Sequence, residues 1–129
     1  MRQINWVAGI FVFFIFLSTA FCDGKKITIE INYGGLHQNR KVETQWKQGI
    51  TVLEALQTIA KVESQQKESY FLVTSIDNVV GHVGDRVWYY DINDKHATSF
   101  ANKCILEEGD HVKWEYAKDV CSCTVKKDK

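Results

Sequence analysis

The sequence of 129 residues contains no proline and no excess of either charge, with 16 Lys and Arg against 16 Asp and Glu. A chain without net charge has no long-range electrostatic field that would attract nucleic acid or an anionic membrane surface. Internal repeats at a period of about 20–50 residues are also lacking. The length and composition therefore predict one small domain and argue against a nucleic-acid-binding protein.

Catalytic signatures are lacking as well. There is no nucleophile elbow, no His-Glu-x-x-His pair and no glycine loop that opens a helix and cradles phosphate. The four histidines, His37, His82, His96 and His111, stand in separate segments without the close spacing of metal ligands. We therefore expect a binding protein that is not an enzyme and that holds no metal or cofactor of its own.

Residues 1–20 have the pattern of a signal peptide. Arg2 precedes an unbroken apolar run over residues 7–17, and the small residues 18–20 follow it. We expect cleavage after Ala20 and an exported product that is secreted, periplasmic or held at the cell surface. Membrane attachment would require an uncleaved N-terminus or a lipid on Cys22.

Four segments, residues 26–33, 40–47, 86–93 and 111–116, place apolar residues at every second position, as half-buried strands do. Residues 70–76 are predicted to be a further strand, the third in chain order. Apolar residues recur at helical spacing from Thr51 to Val62, where Thr51 and Glu54 form a capping box. The polar residues 63–69 are expected to lead out of the helix, and residues 97–106 are ambiguous. The pattern predicts an α+β fold, a β-grasp (ubiquitin-like) mixed sheet of about five strands with one packed helix, over residues 24–118, followed by a charged tail, residues 119–129.

Four of these segments also resemble a known family when taken in order. They are residues 49–56, Tyr70 with residues 73–76, residues 88–93 and residues 109–116. Together they are similar to the transcobalamin-like C-terminal domain, a β-grasp module of vertebrate cobalamin carriers and of many small exported bacterial proteins of unknown function. The resemblance covers roughly residues 26–117, nearly the whole mature chain. It implies a small-molecule ligand, a cobalamin-like corrinoid, bound near residues 88–90.

Alternation separates the aromatic side chains of the strands into two groups. Trp88, Tyr90, Trp114 and Tyr116 are expected to face the core. Tyr89 is expected to be exposed on the opposite face beside Asp91. The predicted ligand-binding residues are therefore Tyr89, Asp91 and Trp88, with Ser75 and Asp77 on the loop after the third strand as secondary choices. A protein–protein or surface-assembly module that uses a sheet edge or the exposed tyrosine is the alternative.

Export would place Cys22, Cys104, Cys121 and Cys123 in an oxidising compartment, where cysteines usually form disulfides. The first and last strands of a β-grasp sheet run parallel in its centre, so Cys22 and Cys104 should lie at the same end. A Cys22–Cys104 bridge is feasible if cleavage keeps Cys22, whereas Cys22–Cys121 is not, and the tail is the other source of a partner for Cys104. Cys121 and Cys123 also leave open a redox or soft-metal role.

Overall fold

The structure is a computed structural model, which describes residues 24–120. It contains eight strands and one helix in two sheets. They are β1 (Lys26–Asn32), β2 (Arg40–Gln45), α1 (Val52–Ile59), β3 (Val62–Lys67), β4 (Tyr70–Ile76), β5 (Val79–Val80), β6 (Arg86–Ile92), β7 (Lys95–His96) and β8 (His111–Lys118). The predicted α+β class is confirmed. No helix within residues 24–120 is long and apolar enough to cross a membrane.

The main sheet has the strand order β2-β1-β8-β6-β7. Its centre is a parallel pair of β1 and β8, in which Thr28 lies opposite His111 and Asn32 lies opposite Glu115. The other pairs of this sheet are antiparallel. The parallel pairing of the first and last strands, which the sequence analysis expected, is thus confirmed.

One face of the main sheet forms the hydrophobic core. The alternating residues Ile27, Ile29 and Ile31 of β1 and Val112 and Trp114 of β8 are almost fully buried there. They pack with Val52, Leu53, Ala55 and Leu56 of α1 in one continuous cluster. Complete burial of such a side chain contributes about 1.5–3 kcal/mol relative to its exposure, so this cluster is the main source of stability.

Helix α1 begins as predicted but ends earlier. The Thr51 hydroxyl accepts a hydrogen bond from the Glu54 N–H at 3.2 Å, which confirms the capping interaction. The helix stops at Ile59 rather than at Val62, because Ala60 already has an extended backbone (φ −141°, ψ 158°). Val62 then starts β3.

The polar residues 63–69, which were expected to lead out of the helix, were not predicted to form a strand, and this is corrected by the structure. Most of this segment belongs to β3, which pairs antiparallel with β4 in a second, three-stranded sheet of order β3-β4-β5. After Val62 every side chain of β3 is exposed, so the strand has polar residues on both faces and shows no alternation. The segment 70–76 consequently lies in this second sheet, and the main sheet is completed instead by the two residues of β7.

Three further predictions fall outside the described residues. These are the signal peptide, residues 1–20, the lipid or disulfide role of Cys22, and the roles of Cys121 and Cys123 in the tail. Cys104 is described and its side chain is half-buried. It lies close to the start of α1, where its carbonyl accepts a hydrogen bond from the Val52 N–H at 2.9 Å.

Candidate ligand-binding cleft

The second sheet and the main sheet separate between β4 and β6. The space between them is a cleft of about 450 Å³, which we call the β4–β6 cleft. Its walls are residues 71–74 of β4 and 87–90 of β6, together with Gly81, Val83, residues 96–97 and 99–101, Trp114 and Asp119. Most of these residues are apolar or aromatic, which is the usual character of a small-molecule site.

One end of the gap between β4 and β6 is closed by the backbone of Gly81 and His82. The Gly81 N–H donates to the Thr74 carbonyl of β4 at 2.7 Å, and the His82 N–H donates to the Arg86 carbonyl of β6, also at 2.7 Å. A Cβ atom on Gly81 would lie 3.4 Å from both the Thr74 carbonyl oxygen and the Val87 Cα. The gap at this closed end is therefore one backbone wide.

Aromatic side chains attach β5 to the main sheet beside this closed end. Trp88 Nε1 donates to the Val79 carbonyl at 2.9 Å, and the Tyr116 hydroxyl donates to the Val80 carbonyl at 3.0 Å. Trp88 is only 6% exposed and meets the Tyr33 ring edge-on at 5.9 Å. The core orientation predicted for Trp88, Trp114 and Tyr116 is confirmed, while Tyr90 is half-buried.

Asp77 fixes the turn between β4 and β5. Its carboxylate accepts hydrogen bonds from the Tyr33 hydroxyl, from Arg40 Nη1 at 2.9 Å and from the Lys61 N–H at 3.0 Å. Burial by itself raises the pKa of Asp77, but the hydrogen bonds from Tyr33, Lys61 and Arg40 outweigh it and hold the pKa below its ordinary value. Asp77 therefore stays ionised and holds the second sheet against the main one.

The structure does not bring Ser75 or Asp77 together with Trp88 and Tyr89 in the cleft, because neither of them lines it. Ser75 was predicted on the loop after the third strand, but it lies within β4, where it is buried. Their ligand-binding roles stay predictions, and the contacts seen for Asp77 are structural.

The opposite end of the gap is open and presents apolar side chains to solvent. Leu72 and Phe100 at this end are 41% and 42% exposed, and Val83, which follows His82 directly and therefore lies beside the closed end, is 81% exposed. The Phe100 ring stacks on Tyr70 with a centroid distance of 3.9 Å. We call Leu72, Val83 and Phe100 the apolar rim of the cleft.

Tyr89 lies at the edge of the cleft and is half-buried rather than exposed as predicted. Its hydroxyl donates to Asp119 Oδ1 at 3.3 Å and accepts a hydrogen bond from the Val120 N–H at 3.2 Å. Its ring lies over His96 at 6.5 Å, and His96 Nδ1 contacts Asp91 Oδ1 at 2.5 Å. Asp91 thus reaches the cleft only through His96.

Among the polar cleft residues that sequence reasoning missed are His96 and Asp119. Asp119 was expected in a charged tail, yet it is 3% exposed and its Oδ2 accepts a hydrogen bond from the Gly84 N–H at 2.9 Å. Its own N–H donates to the Asp85 carbonyl at 2.8 Å. Both partners are backbone groups of a distant loop, so no local pattern in the sequence could have indicated them.

Tyr90 spans the floor of the cleft and donates a hydrogen bond from its hydroxyl to the Ser99 carbonyl. Burial, followed by the electrostatic effect of the neighbouring Cys104, raises the pKa of Tyr90 to about 12. The phenol is therefore neutral at physiological pH. Within residues 24–120 no group of three His, Cys, Asp or Glu side chains is arranged to hold a metal ion.

Comparison with known proteins identifies the family of this chain. The family described as "Domain of unknown function (DUF4430)" matches residues 49–118, which is more than half of the chain, and the chain belongs to that family. No curated protein matches the sequence.

Two solved structures share the fold. One is a proposed metal binding protein from Ruminococcus gnavus, with 16% identity and a TM-score of 0.64, in a match that covers 73% of this chain and 97% of that one. The other is haptocorrin in complex with Cbi, with 8% identity and a TM-score of 0.65. That match covers 74% of this chain but 25% of haptocorrin, so the chain corresponds to a quarter of that protein.

Proposed function

We propose that this chain is an exported, non-enzymatic binding module with a β-grasp fold, whose β4–β6 cleft takes a small molecule of the cobalamin-like corrinoid class. The observation that carries the proposal is the cleft itself, a largely apolar concavity of about 450 Å³ whose lining includes a few polar residues, Thr74, Tyr89, Tyr90, His96, Ser99 and Asp119. Ligand sites of folded proteins have volumes of about 300–1,000 Å³ and the same combination of apolar walls with few polar groups.

The ligand class rests on two supports. Trp88 and Tyr89 lie in the cleft wall, in the segment for which the sequence resemblance implies contact with a corrinoid. The fold is shared with haptocorrin, a protein solved in complex with Cbi. A whole corrinoid is larger than this cleft, so one edge of the ligand would enter between β4 and β6 while its flat ring lies over the apolar rim.

The β-grasp assignment rests on the parallel β1–β8 pair at the centre of the main sheet and on α1, which packs against the core face. Export rests on the basic start, the apolar run and the small residues of the N-terminal segment. The lack of catalytic motifs in the sequence supports a binding role rather than an enzymatic one.

A spectral titration of the purified protein with cobalamin tests the proposal. We expect a saturable change in the corrinoid absorbance, and Leu72→Glu on the rim should weaken binding about tenfold because a charge is introduced into the contact surface. Leu36→Glu is the matched control, since Leu36 is also exposed but lies on the β1–β2 turn outside the cleft. Absence of any change with the unmodified protein at high micromolar cobalamin would overturn the corrinoid proposal.

A protein partner is the second candidate, and the exposed apolar rim favours it. The variants Leu72→Glu and Leu36→Glu also distinguish cobalamin binding from binding of a protein partner. If Leu72→Glu leaves cobalamin binding unchanged but abolishes association with a partner protein, the rim is a protein-interaction surface.

A further inference from the structure

The described part of the chain contains three tryptophans, and two of them have an acceptor for the indole nitrogen. Trp46 Nε1 donates to the Leu106 carbonyl at 2.8 Å, and Trp88 Nε1 donates to the Val79 carbonyl at 2.9 Å. Trp114 Nε1 is buried without a hydrogen-bond partner, and no other buried side-chain nitrogen or oxygen of the described residues is in this state. A buried donor without an acceptor has given up its hydrogen bond to water and gained none in return.

Trp114 is part of the lining of the β4–β6 cleft. It lies on β8, the strand next to β6, directly opposite Tyr90 in the register of the two strands. The two rings pack together with a centroid distance of 4.9 Å. Because Trp114 is only 2% exposed, a ligand reaches its nitrogen only at the full depth of the cleft, beside Tyr90.

Several hydroxyl donors of the cleft are already used within the protein. The hydroxyls of Thr74, Tyr89 and Tyr90 each donate a hydrogen bond to a carbonyl or carboxylate oxygen of the chain. The Trp114 nitrogen differs from them because it has no such acceptor. A ligand that places an acceptor at this nitrogen therefore gains a hydrogen bond without breaking one inside the protein. A site with an unpaired buried donor favours a molecule that bears the acceptor over the same molecule without it.

The charged groups of the cleft indicate that this acceptor is neutral. The described lining residues include no Lys or Arg, and their one carboxyl group is that of Asp119, which is 3% exposed. Both of its oxygens accept hydrogen bonds, Oδ1 from the Tyr89 hydroxyl and Oδ2 from the Gly84 N–H. A ligand carboxylate would be buried in the same cleft as this carboxyl group, without a lysine or arginine to pair with it. The carbonyl oxygen of a ketone, an amide or an ester accepts the same hydrogen bond without a charge.

We propose that Trp114 Nε1 is the hydrogen-bond donor that selects the ligand of the β4–β6 cleft, and that the ligand inserts a neutral carbonyl group on an otherwise apolar edge. The apolar walls hold the hydrocarbon part of that edge, and Trp114 distinguishes a carbonyl-bearing ligand from a hydrocarbon of the same shape. The inference rests on the proposed function in taking this cleft as a ligand site, but it does not depend on the ligand being a corrinoid.

Three small probes of nearly equal size test this inference. Acetophenone has a neutral carbonyl group, ethylbenzene has none, and benzoate has a carboxylate. Each probe is added at low millimolar concentration to the nitrogen-15-labelled full chain without cobalamin, and binding is followed by NMR of the amide and indole N–H groups. We expect acetophenone to bind at least about fivefold more tightly than either of the other probes, because it alone brings a neutral acceptor to the buried donor. Acetophenone should also shift the indole N–H signal of Trp114, a measurement that needs no variant.

Trp114→Phe removes the donor and keeps an apolar ring, so acetophenone and ethylbenzene should bind this variant with equal affinity. Trp46→Phe is the matched control, because Trp46 is not among the lining residues of the cleft and its nitrogen already has an acceptor. The preference for acetophenone should persist in this control. Dispersed amide signals show whether each variant is folded, and if Trp114→Phe is not, the probe series and the Trp114 indole signal of the unmodified protein still decide.

Four results overturn the inference. They are equal affinity of the unmodified protein for acetophenone and ethylbenzene, tighter binding of benzoate than of acetophenone, acetophenone binding that leaves the Trp114 indole signal unchanged, and no binding of any probe. A failed cobalamin titration together with a clear preference for acetophenone overturns only the corrinoid class of ligand. A successful titration without that preference overturns only the role of Trp114.

Discussion

The two ends of the gap between β4 and β6 differ in their hydrogen bonds and in the exposure of their apolar side chains. At the closed end, Gly81 and His82 hydrogen-bond to both sheets, Trp88 and Tyr116 donate to β5, and Asp77 is held by three donors. At the open end, β4 and β6 have no strand between them within residues 24–120, and the side chains of Leu72 and Phe100 remain partly exposed. The closed end therefore stabilises the fold, whereas the open end presents apolar side chains to solvent.

The largest expected effect comes from truncating one apolar side chain at each end. Trp88→Ala should lower the free energy of unfolding by about 3–5 kcal/mol, because it leaves a cavity in the core and removes the hydrogen bond from the indole to the Val79 carbonyl. Leu72→Ala at the open end should cost less than about 0.5 kcal/mol, since its side chain is already partly in water. Urea unfolding measures both, and similar losses for the two variants would contradict the comparison.

A smaller and pH-dependent effect is expected at Asp77. Asp77→Asn keeps the shape and tolerates the positive φ of 49°, but it weakens the bonds from Tyr33 and Arg40 and should cost about 1–3 kcal/mol at pH 7. Because the pKa of Asp77 is lowered in the folded state, its stabilisation is complete above the ordinary pKa of about 4 and is lost as the pH falls through the folded value. The difference between the two proteins should therefore shrink in acid.

The matched control for this pH dependence is Asp94→Asn, an exposed turn residue that also has positive φ, 64°. Chemical denaturation at pH 7, 5 and 3 separates the two variants. A stability difference at Asp77 that is independent of pH would show that its carboxylate does not hold the closed end.

The smallest expected effect concerns Tyr90 on the floor of the cleft. An unfolded tyrosine loses its proton near a pKa of about 10, whereas the folded pKa of Tyr90 is raised to about 12. Stability should therefore decrease as the pH rises between these values, and Tyr90→Phe should remove that component. Carbon NMR of the tyrosine rings measures the pKa directly. Cys104→Ser should lower this pKa, because the electrostatic effect of Cys104 is the second cause of the shift, and an unchanged value would exclude that cause.

A strand could be predicted from the sequence when one of its two faces is buried in the core. β1 and β8 each have one face in the core, so buried residues alternate along both strands and their bounds are close to those predicted. β3 has no buried face and β7 has two residues, so neither leaves a periodic signal. The single helix was predicted, but its end was not, because the extended conformation of Ala60 leads into the pairing of β3 with β4.

The cleft was predictable only in part. Trp88 and Tyr89 were named from the sequence and both line it, while Ser75 and Asp77 do not. Asp119 and His96 were missed because their contacts join segments far apart in the chain. Asp119 meets the backbone of Gly84 and Asp85, and His96 meets Asp91 and Tyr89.

The sequence by itself determined the alternation of the central strands, the cap of the helix and the α+β class, because these depend on neighbouring residues and on which face is buried. Only the tertiary structure decided that the strands divide into two sheets and that β4 and β6 separate after Gly81. That outcome depends on hydrogen bonds and packing between residues distant in the chain, such as Trp88 with Val79 and Tyr33 with Asp77. No local pattern encodes such contacts, and they create the cleft on which the proposed function rests.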